Sequence, residues 1–102
     1  MPIDVRAEHL ALIHGILQQH LPVHEVIAFG SRVTGNARKT SDLDLAIMSS
    51  TPLPFETLAK LKLAFSESNL PYTVDLVDWS LTSATFREII KREGVAIFRP
   101  TQ

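Results

Sequence analysis

Short apolar segments alternate with helix-like segments along this chain of 102 residues, and this alternation restricts its fold more than any other feature. Segments of strand character, recognised by short apolar runs or by alternation of polar and apolar residues, are 25–29, 41–48, 72–79 and 95–98. Apolar residues recur at helical spacing in 5–19, 54–68 and 82–93, and a short helix can begin at Ser31. Strands that alternate with helices pack as a sheet backed by helices, so we predict one α/β domain over residues 1–102.

Composition narrows the class of protein. Hydrophobic residues make up 45% of the chain and charged residues 21%, which is ordinary for a globular domain. There is no cysteine, which excludes disulfides and thiolate metal sites and fits a cytoplasmic location. We find no signal peptide and no apolar run near the roughly 20 residues of a membrane span. With a net charge of −1, the chain has no large positive electrostatic field that would attract nucleic acid, which disfavours general nucleic-acid binding.

The first strand stops at Gly30-Ser31, a dipeptide suited to a phosphate-binding turn. Glycine lets bare backbone approach a ligand closely. Ser31 stands where a helix can begin, so its hydroxyl can cap that helix or contact phosphate, and its amide favours an anion. We therefore place Gly30 and Ser31 among the phosphate-binding residues.

Two carboxylates follow on the next strand. Polar and apolar residues alternate from Ser41 onward, which puts Asp42 and Asp44 on one face of the strand. Side chains two residues apart on a strand are separated by about 6–7 Å, which two cations about 3.5–4 Å apart can bridge. Magnesium is the natural candidate, because it prefers one or two carboxylates plus substrate phosphate. Alternatively, Asp42 caps a turn and Asp44 is a solvated strand residue.

A third acid lies on the strand at 72–79. Alternation puts Asp75 on the face opposite Val74 and Leu76, where it could bind a metal and accept the proton of an attacking hydroxyl. Asp78 competes for this role, but it falls on the other face ahead of a helix, which favours a turn or an N-cap. From the residues alone, either acid could be the third carboxylate.

Basic residues gather between the Gly-Ser turn and the acids, where a triphosphate would lie. We assign nucleotide or phosphate contacts to Gly30, Ser31, Arg32, Arg38, Lys39 and Ser41. For any single cation, a solvated loop charge is an equally good interpretation.

The combination of Gly30-Ser31, a spacer and Asp42-Leu43-Asp44, with Asp75 further on, resembles the signature of the DNA polymerase β type nucleotidyltransferases. The short chain is most similar to the minimal nucleotidyltransferase group, many of which are antitoxins encoded beside a helical HEPN toxin. The resemblance implies a small mixed sheet backed by helices. It also implies that Asp42, Asp44 and Asp75 bind two Mg²⁺ ions for transfer of AMP from ATP to a hydroxyl.

Within that group the implied acceptor is a tyrosine of the toxin, which would make the protein an antitoxin in a hetero-oligomer. Two alternatives stay open. The chain could neutralise its partner by contact alone, or it could transfer the nucleotide to a small molecule. Full protection of cells by a variant lacking the acids would favour contact alone, and a screen of small hydroxylated acceptors would test the other.

Overall fold

The computed structural model of the protein describes residues 3–100 and contains four helices and four strands in this range. The helices are α1 (Ala7–His20), α2 (Ser31–Thr34), α3 (Phe55–Ser66) and α4 (Ala84–Glu93). The strands are β1 (Val26–Phe29), β2 (Leu43–Ile47), β3 (Val74–Asp78) and β4 (Val95–Phe98). A 3₁₀ turn, Trp79–Leu81, joins β3 to the segment before α4.

The four strands form one mixed sheet with the order β3-β2-β1-β4. β1 is antiparallel to both β2 and β4, whereas β2 and β3 are parallel. The mixed sheet that the family resemblance implies is therefore confirmed, and β4 forms one edge of it. β3 forms the opposite edge and places its residues beside those of β2.

Each face of the sheet has its own apolar cluster. Leu43, Leu45 and Ile47 of β2 point to one side and pack with buried residues of α1 and α3. The other side carries a smaller cluster of Phe29, Ala46 and Ile90, in which Ile90 belongs to α4. Because alternate residues of a strand point to opposite faces, Asp44 lies on the α4 side with Ala46. Asp44 is thus on the face of the sheet opposite the larger core.

The sequence places the elements correctly, with small shifts at their ends. Pro54 immediately precedes α3 as its N-cap. Gly35 ends α2 with φ of 90°, a left-handed conformation that suits glycine. Gly94 ends α4 at a φ of −70°, so backbone freedom is not its role. A Cβ there would collide with Ile27 and with the carbonyl of Ile90, and close packing therefore requires glycine.

None of the helices between residues 3 and 100 has the length and apolar character that a bilayer crossing requires.

Candidate active site

Asp44 and Asp75 stand side by side on neighbouring strands. The parallel register pairs Asp44 of β2 directly with Asp75 of β3, so both carboxylates project from the same face. Asp42 lies one residue before β2, two positions from Asp44. These three side chains interact electrostatically with one another and are called the carboxylate cluster below. The structure brings together the three acids that the sequence pattern selected.

Burial and mutual repulsion raise the pKa values of two acids of the carboxylate cluster, Asp44 and Asp75. Burial raises the pKa of Asp44 above its ordinary value of 3.8, and the negative charges of Asp75 and Asp42 raise it further. Loss of solvent also raises the pKa of Asp75, together with the charge of Asp42 and a hydrogen bond to Asp42. Like charges held this close disfavour full ionisation unless a cation compensates for them. The cluster therefore has the electrostatic character of a divalent-cation site.

The carboxylate cluster fits an ion that completes its coordination with ligands from a substrate. Within residues 3–100, no group of three or more His, Cys, Asp or Glu side chains is already closed around one metal position. Mg²⁺ dehydrates reluctantly and usually binds one or two carboxylates together with substrate phosphates. The neighbouring carboxylates of Asp44 and Asp75 supply oxygen donors and leave room for ligands from a substrate, which matches that preference. The donor set thus fits magnesium better than a softer metal, which would seek sulfur or nitrogen ligands.

Gly30 lies against the carboxylate of Asp44. The turn after β1 holds Gly30 at φ 82° and ψ −159°, a region that residues with a side chain essentially never occupy. A Cβ at this position would collide with the Oδ2 atom of Asp44. Glycine is therefore needed twice, for its backbone conformation and for the room that it leaves beside the acid. Ser31 follows as the first residue of α2.

Asp78 has a structural role away from the carboxylate cluster. Its carboxylate accepts hydrogen bonds from the backbone N–H groups of Leu53 and Ser80 and from the hydroxyls of Ser49 and Ser80. Burial alone would raise the pKa of Asp78, but these hydrogen bonds lower it below its ordinary value. Because four donors already bind this carboxylate, it is not available to a metal ion. The predicted N-cap role of Asp78 is confirmed.

Arg32 does not have the phosphate-binding role that its position in the sequence suggested. Its side chain is buried, and its guanidinium donates hydrogen bonds to the backbone carbonyls of Asp4, Arg38, Lys39 and Ser41. The guanidinium also lies 3.9 Å from the centre of the Tyr72 ring, a cation–π contact. Because its donors are engaged within the protein, we correct the prediction. Arg32 fixes the loop that leads to Asp42.

The remaining predicted phosphate contacts lie in that loop. Arg38 and Lys39 are exposed, and the backbone N–H of Arg38 donates to the hydroxyl of Ser41. Both cations line a cleft of about 550 Å³ that also includes Arg6 and Tyr72. Tyr72 packs with the larger core, on the side of the sheet opposite Asp75. Arg38 and Lys39 thus line a cleft that contains Tyr72 and none of the three acids, and their side chains are exposed to solvent.

Sequence reasoning missed two features of the site. One is the contact of Arg32 with Tyr72. No sequence pattern around Arg32 indicates that its side chain is buried against this ring. The other is a groove of about 890 Å³ beside β3, lined by Asp75 together with Lys62 and Ser66 of α3. Lys62 and Ser66 belong to no recognisable sequence motif. They line the same groove as Asp75 only because α3 packs against the sheet.

Comparison with known proteins adds independent evidence. Residues 12–102 match the family model described as polymerase beta, nucleotidyltransferase. A curated relative, the probable protein adenylyltransferase MntA of Haemophilus influenzae, is 56% identical over 95 residues, which cover 93% of this chain and 83% of that protein.

Solved structures share the fold. A crystal structure of a toxin–antitoxin with AMP-PNP matches 91% of this chain and 74% of its own, at a TM-score of 0.74 and 26% identity. A structure of the tri-AMPylated Shewanella oneidensis HEPN toxin in complex with MNT antitoxin matches 90% of this chain and 71% of its own. Its TM-score is 0.68 at 22% identity, a likeness that establishes the fold alone.

Proposed function

Because this chain belongs to the polymerase β nucleotidyltransferase family, we propose that it transfers AMP from ATP to a tyrosine hydroxyl of a helical HEPN-type toxin, and so acts as an antitoxin. The observation that carries the proposal is the register of Asp44 against Asp75, with Asp42 beside them. The relative from Haemophilus influenzae is named a probable protein adenylyltransferase, which supports a protein acceptor.

The transfer step is a displacement at the α-phosphorus of ATP. The acceptor oxygen forms a new bond to that phosphorus, and the bond to the pyrophosphate oxygen breaks, so pyrophosphate leaves with the bonding electrons. The hydroxyl proton passes to the carboxylate of Asp75. Asp75 lies in register with Asp44 and forms a hydrogen bond with Asp42, which places its carboxylate where it can accept that proton. Asp75 is thus the general base of the proposed reaction.

Two Mg²⁺ ions, when bound, would neutralise charge on the triphosphate and on the attacking and leaving oxygens. Asp42 and Asp44 would hold them, and Asp75 would be a ligand of one of them. The pKa of Asp44 is raised by burial and then by the charges of Asp75 and Asp42, and a bound cation would stabilise these carboxylates in their charged form, which supports this assignment. Gly30 contributes by keeping the space beside Asp44 open.

Nucleotide contacts are proposed for Gly30, Ser31, Arg38, Lys39 and Ser41, without Arg32. Ser31 and Ser41 flank the segment that joins β1 to β2, and both are partly exposed. Arg38 and Lys39 supply mobile cations that can follow a triphosphate. We place the reaction in the cytoplasm and assign it to a single domain, residues 1–102.

Label transfer tests the proposal directly. The protein is incubated with α-³²P-labelled ATP, Mg²⁺ and the toxin encoded beside it, and the toxin is then examined for covalent label. We expect label on a tyrosine with the wild-type protein, and none with Asp44→Asn or with excess chelator. Asp4→Asn, which changes an exposed acid outside the carboxylate cluster, is the matched control and should label normally.

Two outcomes would refute adenylyl transfer to the toxin. If Asp44→Asn protects cells from the toxin as well as the wild-type protein does and no label is found, the chain neutralises its partner by contact. If label instead appears on a small hydroxylated acceptor and not on the toxin, the transferase acts on a small molecule.

A further inference from the structure

The outer edge of β3 is open where it passes the carboxylate cluster. β3 is an edge strand, and its inner neighbour is β2. The carbonyl of Thr73 accepts a hydrogen bond from the N–H of Leu43, so Thr73 faces β2. Successive residues of a strand direct their backbone groups to alternate sides. Val74 and Leu76 therefore point their N–H and C=O groups away from the sheet, and within residues 3–100 no backbone partner for them is observed.

A groove of about 890 Å³ runs along this edge and is called the edge groove. The consecutive residues 70–76 form one wall, and Lys62, Phe65 and Ser66 of α3 form the other. A cavity that touches every residue along a stretch of strand follows the backbone of that strand rather than one face of the sheet. The edge groove thus presents the unpaired backbone groups of Val74 and Leu76 to whatever enters it.

The charges of the edge groove select its occupant. Lys62 and Asp75 are the only charged residues in its lining, and the rest of the lining is uncharged. One cation and one anion offer little to a triphosphate or to nucleic acid, which need several cations. They suit a polypeptide backbone of low charge, which can pair with Val74 and Leu76 as an added strand.

We propose that the edge groove binds the acceptor segment of the partner protein in an extended conformation, as a fifth strand paired with β3. This inference rests on the proposed function, since it assigns the binding mode of the same acceptor. A strand added beside β3 directs alternate side chains to each face of the sheet. A tyrosine in register with Asp75 then lies on the face of the carboxylate cluster, with its hydroxyl near the base.

Amide hydrogen exchange tests the pairing. The exchange rates of individual amides are measured by NMR for the whole protein, alone and with the toxin encoded beside it. We expect the amides of Val74 and Leu76 to slow at least tenfold in the complex, since they gain acceptors. The amides of Asp75 and Val77, which face β2, are already protected and serve as internal controls.

Blocking the edge groove provides a second readout. Ser66→Trp fills the groove from an exposed position on α3, whereas Lys60→Trp places the same side chain on α3 outside the groove. We expect Ser66→Trp to raise KM for the toxin about tenfold or more, the equivalent of losing one or two main-chain hydrogen bonds. Lys60→Trp should leave KM unchanged, and nucleotide binding should be normal in both variants.

The outcomes separate this inference from the proposed function. Label on the toxin without slowed exchange at Val74 and Leu76, and with a normal KM for Ser66→Trp, would refute the added strand and leave adenylyl transfer intact. Slowed exchange without label would support strand addition and refute the transfer. If neither slowed exchange nor label on the toxin is observed, both the added strand and the proposed transfer are refuted.

Discussion

Replacing Gly30 by alanine tests how the turn after β1 controls the carboxylate cluster. The backbone at Gly30 has φ 82° and ψ −159°, and a side chain in this region costs about 1–3 kcal/mol. In a domain of this size, each kcal/mol lowers Tm by about 4–8 °C. The new Cβ would also collide with Oδ2 of Asp44, so the carboxylate must move. A displacement of about 1 Å at a reacting group can reduce the rate about 100-fold.

Gly35→Ala is the matched control for this experiment. Gly35 also has a positive φ, of 90°, but nothing lies within 4 Å of an added Cβ. Its strain cost of about 1–2 kcal/mol is similar, and no group of the site has to move. The rate of AMP transfer per folded molecule is measured for both variants, with the folded fraction taken from circular dichroism. We expect a loss of about 100-fold for Gly30→Ala and little change for Gly35→Ala. Equal rates in the two variants would refute the argument that Gly30 makes room for Asp44.

Two further predictions concern stability. Arg32→Lys should lower the free energy of unfolding by about 2–4 kcal/mol, because an ammonium cannot satisfy four carbonyls as the guanidinium does. Trypsin should then cut faster after Arg38 and Lys39, and an unchanged cleavage rate would contradict the loop-fixing role of Arg32. In the metal-free protein, the free energy of unfolding should fall as pH rises from 3.8 through the raised pKa values of Asp44 and Asp75, since the folded state binds these protons more tightly. Urea unfolding against pH measures this decline, which Mg²⁺ with ATP should reduce; a decline equally steep in Asp75→Asn would show that other groups cause it.

The carboxylate cluster was largely predictable because its information is local. Alternation along a strand fixes which residues share a face, so Asp42 and Asp44 could be grouped, and Asp75 could be placed on the face of its strand opposite Asp78, from sequence spacing. The parallel pairing of β2 with β3 has no local signature, and the sequence did not predict it. The pairing is nevertheless what sets Asp44 directly beside Asp75.

The role of Arg32 could not be predicted for a related reason. Its partners are backbone carbonyls of Asp4, Arg38, Lys39 and Ser41, and a carbonyl looks the same in every residue. Only the folded path of the chain brings these carbonyls around one guanidinium. The edge groove is similar, because it depends on which edge of the sheet β3 occupies.

The rate of AMP transfer by Asp75→Asn, measured beside that of Asp78→Asn, tests the central claim most directly. The account holds that Asp75 belongs to the carboxylate cluster, while Asp78 only anchors the backbone around Leu53 and Ser80. We predict that Asp75→Asn transfers no detectable AMP although it folds normally, and that Asp78→Asn is less stable but transfers AMP at a near-normal rate per folded molecule. A folded Asp75→Asn that transfers AMP as fast as the wild-type protein would contradict the account.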